Sequence, residues 1–256
     1  MKSASGWRSG GKDMAILDMD FGNTRLKWRV SRKGDVLADG ALAVPGNDGS
    51  QEWLAGLIAA VDATPVRVRA ASVRDNGINQ ALAAAVSAHW GVEVEFARTG
   101  RTQAGVTSAY QQPRQMGVDR WLGMLAAFDR VKGPCCVVSA GSALTVDLVG
   151  AGGQHIGGYI VPGMGMMLDA LQNRSRALTL AAEPTWDSVL PGSDTRQCME
   201  HGVLSLVTGW LLNLCQEREP GKVILSGGDG ARLQPWLPGA ILVSGLVLDG
   251  LAIALP

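Results

Sequence analysis

The chain has 256 residues with 23 basic and 23 acidic side chains, so its formal charge is zero at pH 7. That balance argues against a nucleic-acid or anionic-membrane binder, which needs surplus cations to displace counterions. Four cysteines without a CxxC pair and three scattered histidines argue against a disulfide framework or a zinc cluster and fit a reducing cytosol.

The first thirteen residues, MKSASGWRSGGKD, are polar and rich in Gly and Ser, with no apolar run of a signal peptide. They read as a disordered extension, residues 1–13, with the fold beginning near Met14. From there a strand at Ala15 to Asp20, a turn at Phe21-Gly22-Asn23 and a strand at Arg25 to Val30 are expected. In the latter, Leu26, Trp28 and Val30 alternate with Arg25, Lys27 and Arg29. A third strand near Val36 to Val44 and a loop at Pro45 to Ser50 follow. Ser50 is placed to cap a helix carrying Trp53, Leu54, Leu57, Ile58 and Val61. A strand at Val66 to Ser72, a helix at Asp75 to Trp90 and alternation at Val92, Val94 and Phe96 lead into a long polar loop. A helix begins around Gly117 to Arg120.

The second half repeats this order. Strands are expected at Cys135 to Ser139, Ala143 to Val149 and His155 to Val161, and helices at Gly165 to Asn173 and Thr195 to Glu217. A strand at Lys222 to Ser226, a turn or short helix after Gly228, a strand at Ala240 to Val243 and a helix closing at Ala254 complete it. The stretch from Ala240 to Leu255 is broken by Asp249 and falls short of the ~20 residues a bilayer needs. Each half reads as βββαβαβα, with turn glycines Gly22 and Gly141 in matching places. The repeat implies two α/β domains, residues 14–117 and 118–256, flanking a cleft where a small molecule binds.

Three segments have residue types suited to chemistry. Asp20-Phe21-Gly22-Asn23-Thr24-Arg25-Leu26-Lys27 is either an ordinary hairpin or a donor-rich phosphate loop whose Asp20 can hold hydrated Mg²⁺. Gly141-Ser142 supplies a matching turn, so two such turns can bracket one polyphosphate. Gly117-Val118-Asp119-Arg120 opens a helix, where an Asp is ordinarily a cap. The adjacent Arg120 is a fixed cation suited to a carboxylate. Ser226-Gly227-Gly228-Asp229 ends a buried strand, either as a tight turn or as a floor for a flat ring such as adenine. His155, beside Gly157-Gly158, reads as structural rather than as a base.

Taken as an ordered set, DFGNT (Asp20 to Thr24), GVDRW (Gly117 to Trp121), AGSALTVDLV (Ala140 to Val149), GGYIVPG (Gly157 to Gly163) and SGGD (Ser226 to Asp229) resemble the type III pantothenate kinases. The resemblance runs from about Met14 to the C-terminus. It implies an α/β, duplicated actin-like (ribonuclease H-like) fold, and ATP-dependent phosphorylation of pantothenate as the first step of coenzyme A synthesis, in a cytoplasmic homodimer. It further implies that Asp20 to Lys27 is the first phosphate loop and that Ser142, Gly227 and Gly228 contact the nucleotide. Tyr110, Gly117, Val118, Asp119 and Arg120 would bind pantothenate, with Asp119 as proton acceptor and Thr195 reaching in from the partner subunit. ATP with magnesium are the expected cosubstrate and metal. Where many members of the family have an Asp that helps bind potassium or ammonium, this chain has Ser139, so the monovalent requirement is expected to be weak. The competing readings are a non-enzymatic actin-like accessory protein, and a kinase or phosphatase of the same superfold acting on another substrate.

Overall fold

A computed structural model describes residues 14–44, 52–174 and 184–256. The expected extension at 1–13, the loop at 45–50 and the Ser50 cap lie outside the described residues. The chain divides between Phe96 and Ala97 into two compact units.

The first unit comprises β1 (Ile16–Phe21), β2 (Arg25–Arg32), β3 (Asp35–Ala43), α1 (Glu52–Ala60), β4 (Arg67–Ser72), α2 (Asn76–Trp90) and β5 (Val94–Phe96). Its sheet runs β3-β2-β1-β4-β5, with β2 antiparallel to both β1 and β3, and β4 and β5 parallel to β1. Alternation sends Leu17, Met19 and Phe21 of β1 and Leu26, Trp28 and Val30 of β2 to one face. There they meet Trp53 and Leu57 of α1 and Leu82 and Val86 of α2. Each such side chain, fully buried, contributes about 1.5–3 kcal/mol. α2 begins at Asp75, whose carboxylate accepts the Ile78 N–H, and ends at Gly91 in the left-handed conformation.

The second unit holds β6 (Thr102–Gln103), β7 (Val106–Thr107), α3 (Val118–Val131), β8 (Cys135–Ala140), β9 (Ala143–Val149), β10 (His155–Pro162), α4 (Met164–Arg174), α5 (Thr195–Arg218), β11 (Lys222–Ser226), α6 (Gly230–Leu233), β12 (Ile241–Leu242) and α7 (Leu246–Ala254). Its main sheet runs β10-β9-β8-β11-β12 with the same strand directions as the first. Two chemically different stretches thus adopt one plan, the duplication expected from the element order. One face packs Val138, Leu144, Val146 and Leu225 against Leu168 of α4 and Leu204 and Leu211 of α5. The other is covered by α3 and α7, which cross so closely that a Cβ on Gly250 would overlap the Leu122 carbonyl. No described helix is long and apolar enough to cross a membrane.

Two expectations differ from what is observed. The units part at Phe96/Ala97, not at 117/118, so residues 97–117 go with the second unit, as does α3. Its buried Trp121, Leu122 and Leu125 pack on β8, β9 and α7. The expected polar loop after Phe96 also contains the β6–β7 ribbon, turned by Ala104 and Gly105 at positive φ. Gln103 binds the ribbon to the second unit, donating to the Ala254 carbonyl at 2.9 Å and accepting from the Trp121 indole at 3.3 Å.

Candidate active site

The buried polar groups of the second unit converge at the start of α3. Arg120, in the first turn, reaches the sheet and grips Asp147 of β9 with two nitrogens, Nε to Oδ2 at 3.0 Å and Nη2 to Oδ1 at 2.6 Å. Its Nη1 donates to the Tyr110 hydroxyl at 3.0 Å. His155 of β10 adds to the same carboxylate, with Nε2 3.1 Å from Asp147 Oδ1. Its Nδ1 accepts the Ala109 N–H at 3.4 Å, so the Nε2 hydrogen is the one that points at Asp147. Tyr110 stacks on the His155 ring at 6.1 Å and passes its backbone carbonyl to Arg101 at 2.7 Å. Burial disfavours the Arg120 charge, but the hydrogen bonds it donates to Asp147 and Tyr110 hold its pKa above the ordinary value.

Asp119 stands beside this network. The helix cap is Gly117 and Asp119 is its second helical residue, so the carboxylate does not occupy the cap position. It does accept one orphan amide, the Arg120 N–H at 2.9 Å. A Cβ on Gly117 would stand 2.5 Å from Asp119 Oδ1, so glycine is what allows the carboxylate to fold back there. Burial pushes the Asp119 pKa up from 3.8; the Arg120 amide and guanidinium pull it back in part, and the Asp147 charge adds to the rise. A half-buried carboxylate with raised basicity, beside a fixed cation, suits proton abstraction from a hydroxyl.

Asp147 was the main omission of the sequence reading, although the signal existed. A lone acid in the apolar run Ala143 to Val149 must be matched by a cation when its strand is buried. Gly158, its register partner on β10, has an equally definite role. A Cβ there would overlap Asp147 and stand 2.7 Å from Arg120 Nη2, so the ion pair occupies the space the side chain would fill.

In the first unit, β1 and β2 make the expected hairpin, closed by the Gly22 N–H to the Arg25 carbonyl at 3.0 Å. Phe21 and Leu26 point into the core, Phe21 against Trp53 at 4.7 Å, so only their backbones can serve a ligand. Asn23, Thr24 and Arg25 are exposed at the turn, while Asp20 and its register partner Lys27 lie on the face away from the core. Arg74, also unremarked in the sequence, donates to the Asn23 carbonyl at 2.7 Å and lies over the Phe21 ring at 5.8 Å. The matching hairpin of the second unit turns at Gly141 and the exposed Ser142, whose carbonyl accepts the Gly163 N–H at 3.0 Å. Gly227, at φ +93°, backs onto the Ala140 carbonyl where a Cβ would overlap it; Gly228 faces open space.

Of the expected substrate residues, Tyr110, Gly117, Val118, Asp119 and Arg120 are brought together. Thr195 stands apart from them as the exposed first residue of α5, whose cap is the Asp194 carboxylate.

Residues 16–217 match the family model of the type III pantothenate kinases. A type III pantothenate kinase of Pseudomonas putida is 34% identical over 249 residues, covering 94% of this chain and 99% of that one. One from Ectopseudomonas mendocina is 35% identical over 249 residues, with the same coverage of 94% and 99%. Among solved structures, a conserved Campylobacter jejuni protein named for the Baf family of transcriptional activators superposes with a TM-score of 0.57. It shares 18% identity, with 92% of this chain and 95% of that one covered. The ethanolamine utilization protein EutJ of Carboxydothermus hydrogenoformans gives a TM-score of 0.50 at 15% identity, covering 94% and 89%. These structural likenesses bear on the fold, the actin-like one.

Proposed function

The chain belongs to the type III pantothenate kinase family, and we propose that Asp119 takes the proton of the pantothenate hydroxyl as the γ-phosphoryl group of ATP is transferred to it. Pantothenate phosphorylation, a step of coenzyme A biosynthesis, is the activity of the chain. The observation that carries the Asp119 assignment is its raised basicity beside the Arg120–Asp147 pair. In a loose phosphoryl-transfer transition state most of the catalysis is positioning and charge stabilisation. Arg120, fixed by Asp147 and Tyr110, supplies a cation that cannot drift, suited to orienting the pantothenate carboxylate.

The hairpin from Asp20 to Lys27 is read as the first phosphate loop, with its exposed Asn23 and Thr24 as donors and its shape held by Arg74. Ser142 is read as a nucleotide contact, and Gly227 and Gly228 as the surface for the adenine. Mg²⁺ suits this chemistry, since it keeps several waters and takes few protein carboxylates. Asp20, on the polar face of β1, is the residue assigned to it. Its neighbour on that face, Asp18, is engaged by Arg69 at 2.6 Å. When bound, the metal would neutralise charge on the phosphates.

A cytoplasmic homodimer completes the reading. It is supported by free cysteines and by exposed apolar side chains of the second unit. These include Ile156 and Ile160 on β10, Met166 on α4 and Leu206 on α5, with Tyr159 of β10 touching Trp210 of α5. Thr195, exposed at the start of α5, is assigned to the pantothenate pocket of the partner subunit. ADP release that depends on pantothenate, from a species sedimenting as a dimer, is the expected result. ADP release indifferent to pantothenate, or a fully active monomer, would refute the corresponding part.

A further inference from the structure

Three strands of the second sheet place a hydroxyl at one level. Ser139 of β8 pairs with Thr145 of β9 on one side and Ser226 of β11 on the other. Their chain neighbours Val138, Ala140, Leu144, Val146 and Leu225 face the α4–α5 core. Alternation therefore turns the hydroxyl row to the opposite face, the one covered by α3 and α7. Thr145 and Ser226 are 9% and 6% exposed. No hydrogen bond within the described residues takes up any of the three hydroxyls. Their oxygens are not sealed in the core, since they line open space, so a partner from outside the chain can reach them.

A cavity lies against the row, with about 20 Å³ open to the centre of a water molecule, and Asp119 and Asp147 form part of its wall. One water needs roughly 10–15 Å³ by that measure, so the space suits a single water and excludes a phosphate. A potassium or ammonium ion is of similar size, and charge decides between them. Leu246 and Val247, the first residues of α7, also line the cavity, as do Asp119 and Arg120 of α3's first turn. Two helix N-termini, with orphan amides and positive dipole ends, thus meet there. The Asp147 charge is matched by Arg120, and the two helix ends, each worth roughly half a positive charge, offset that of Asp119. Those surroundings disfavour a cation and suit a neutral molecule that both accepts and donates.

We propose that this cavity binds one water molecule, which the Ser139–Thr145–Ser226 row orients to donate a hydrogen bond to the Asp119 carboxylate. The proposal rests on Asp119 being the base. The groups facing Asp119 are the Arg120 guanidinium from its own helix and Asp147 from β9, with His155 and Tyr110 attached to that pair. None of these donates a side-chain hydrogen to Asp119 among the described residues, so the water would offset part of the burial that raises its pKa.

The test compares kcat against pH for the wild type, Thr145→Val, Ser226→Ala and the double variant, with pantothenate and ATP saturating. Removing the row should move the acidic limb upward by about one pH unit and keep most of the plateau, and Thr145→Ser should restore it. A structural role alone would lower the amount of active protein without moving the limb. Asp119→Asn is measured alongside. If that variant keeps wild-type turnover, the base assignment itself fails. If it is inactive while the hydroxyl variants leave the limb in place, the water proposal fails alone. Should the double variant not fold, the single variants and a crystal soaked in rubidium, a potassium-sized ion with an anomalous signal, decide. A non-anomalous peak bonded to Thr145 Oγ1 and Ser226 Oγ supports the water, and an anomalous peak there overturns it.

Discussion

In the first unit Arg69 of β4 grips Asp18 of β1 with two nitrogens, at 2.6 and 2.9 Å, between strands that are register partners. In the second unit Arg120 grips Asp147 at 2.6 and 3.0 Å, but from a helix to a strand. Both pairs are buried and bidentate, and their surroundings differ. Asp18–Arg69 joins neighbours within one sheet. Asp147–Arg120 pins the first turn of α3 to the sheet and attaches Tyr110 and His155, with Asp119 one residue away. The same ion pair thus stitches strands in one copy of the fold and, in the other, lies beside the carboxylate we propose as the base. The duplicated scaffold allows this because both sheets share a strand order while only the second carries α3 against its polar face.

The contrast can be broken by removing one partner from each pair. Leaving a buried charge without its mate costs about 3–5 kcal/mol, so Arg69→Ala and Arg120→Ala should both lower urea stability by that order. Turnover per folded molecule should survive in the Arg69 variant and collapse in the Arg120 variant. Equal turnover in the two, measured on samples normalised for folded protein, would erase the distinction. Tyr110→Phe is a gentler probe. It deletes the hydroxyl that accepts from Arg120, and a hydrogen bond to a charged group is worth about 1.5–3 kcal/mol. The expected outcome is a pantothenate KM raised roughly tenfold or more, with the ATP KM unchanged. A matching rise in the ATP KM would place Tyr110 elsewhere in the reaction.

The pH dependence sharpens the same comparison. Asp119 must be ionised to accept a proton, and burial raises its pKa above 3.8. Activity should therefore be lost as pH falls through a value above the usual aspartate range, and a kcat limb at or below that range would contradict it. The smallest expected effect is that of potassium. Ser139 supplies no anionic oxygen, so exchanging KCl for a bulky organic chloride at constant ionic strength should leave kcat unaltered. Clear activation by potassium would show that other groups supply a cation site.

The fold was largely legible because its signals are local. Alternation in Leu26 to Val30 and the turn glycines each act within a few residues. The unit boundary was not, because residues 97–117 are tied to the second unit by partners distant in the chain, such as Gln103 to the Ala254 carbonyl. The site divides the same way. Asp119 and Arg120 announce themselves by adjacency at a helix start. Asp147, Gly158 and the hydroxyl row matter only through strand register, which pairs positions far apart in the chain. Asp147 still carried a clue, an acid in an apolar strand. Arg74 carried none, since its acceptor is a backbone carbonyl about fifty residues away.

The central claim, that Asp119 is the base rather than a helix-end residue, is tested most directly by Asp119→Asn with melting and pantothenate-dependent ADP release measured on one preparation. Asn serves a helix N-terminus about as well as Asp, so the melting temperature should barely change. Loss of a general base should lower kcat by about 10²–10⁴-fold. A variant that melts like the wild type and keeps more than about a tenth of its turnover would contradict the claim, since that loss is below the smallest a general base typically contributes.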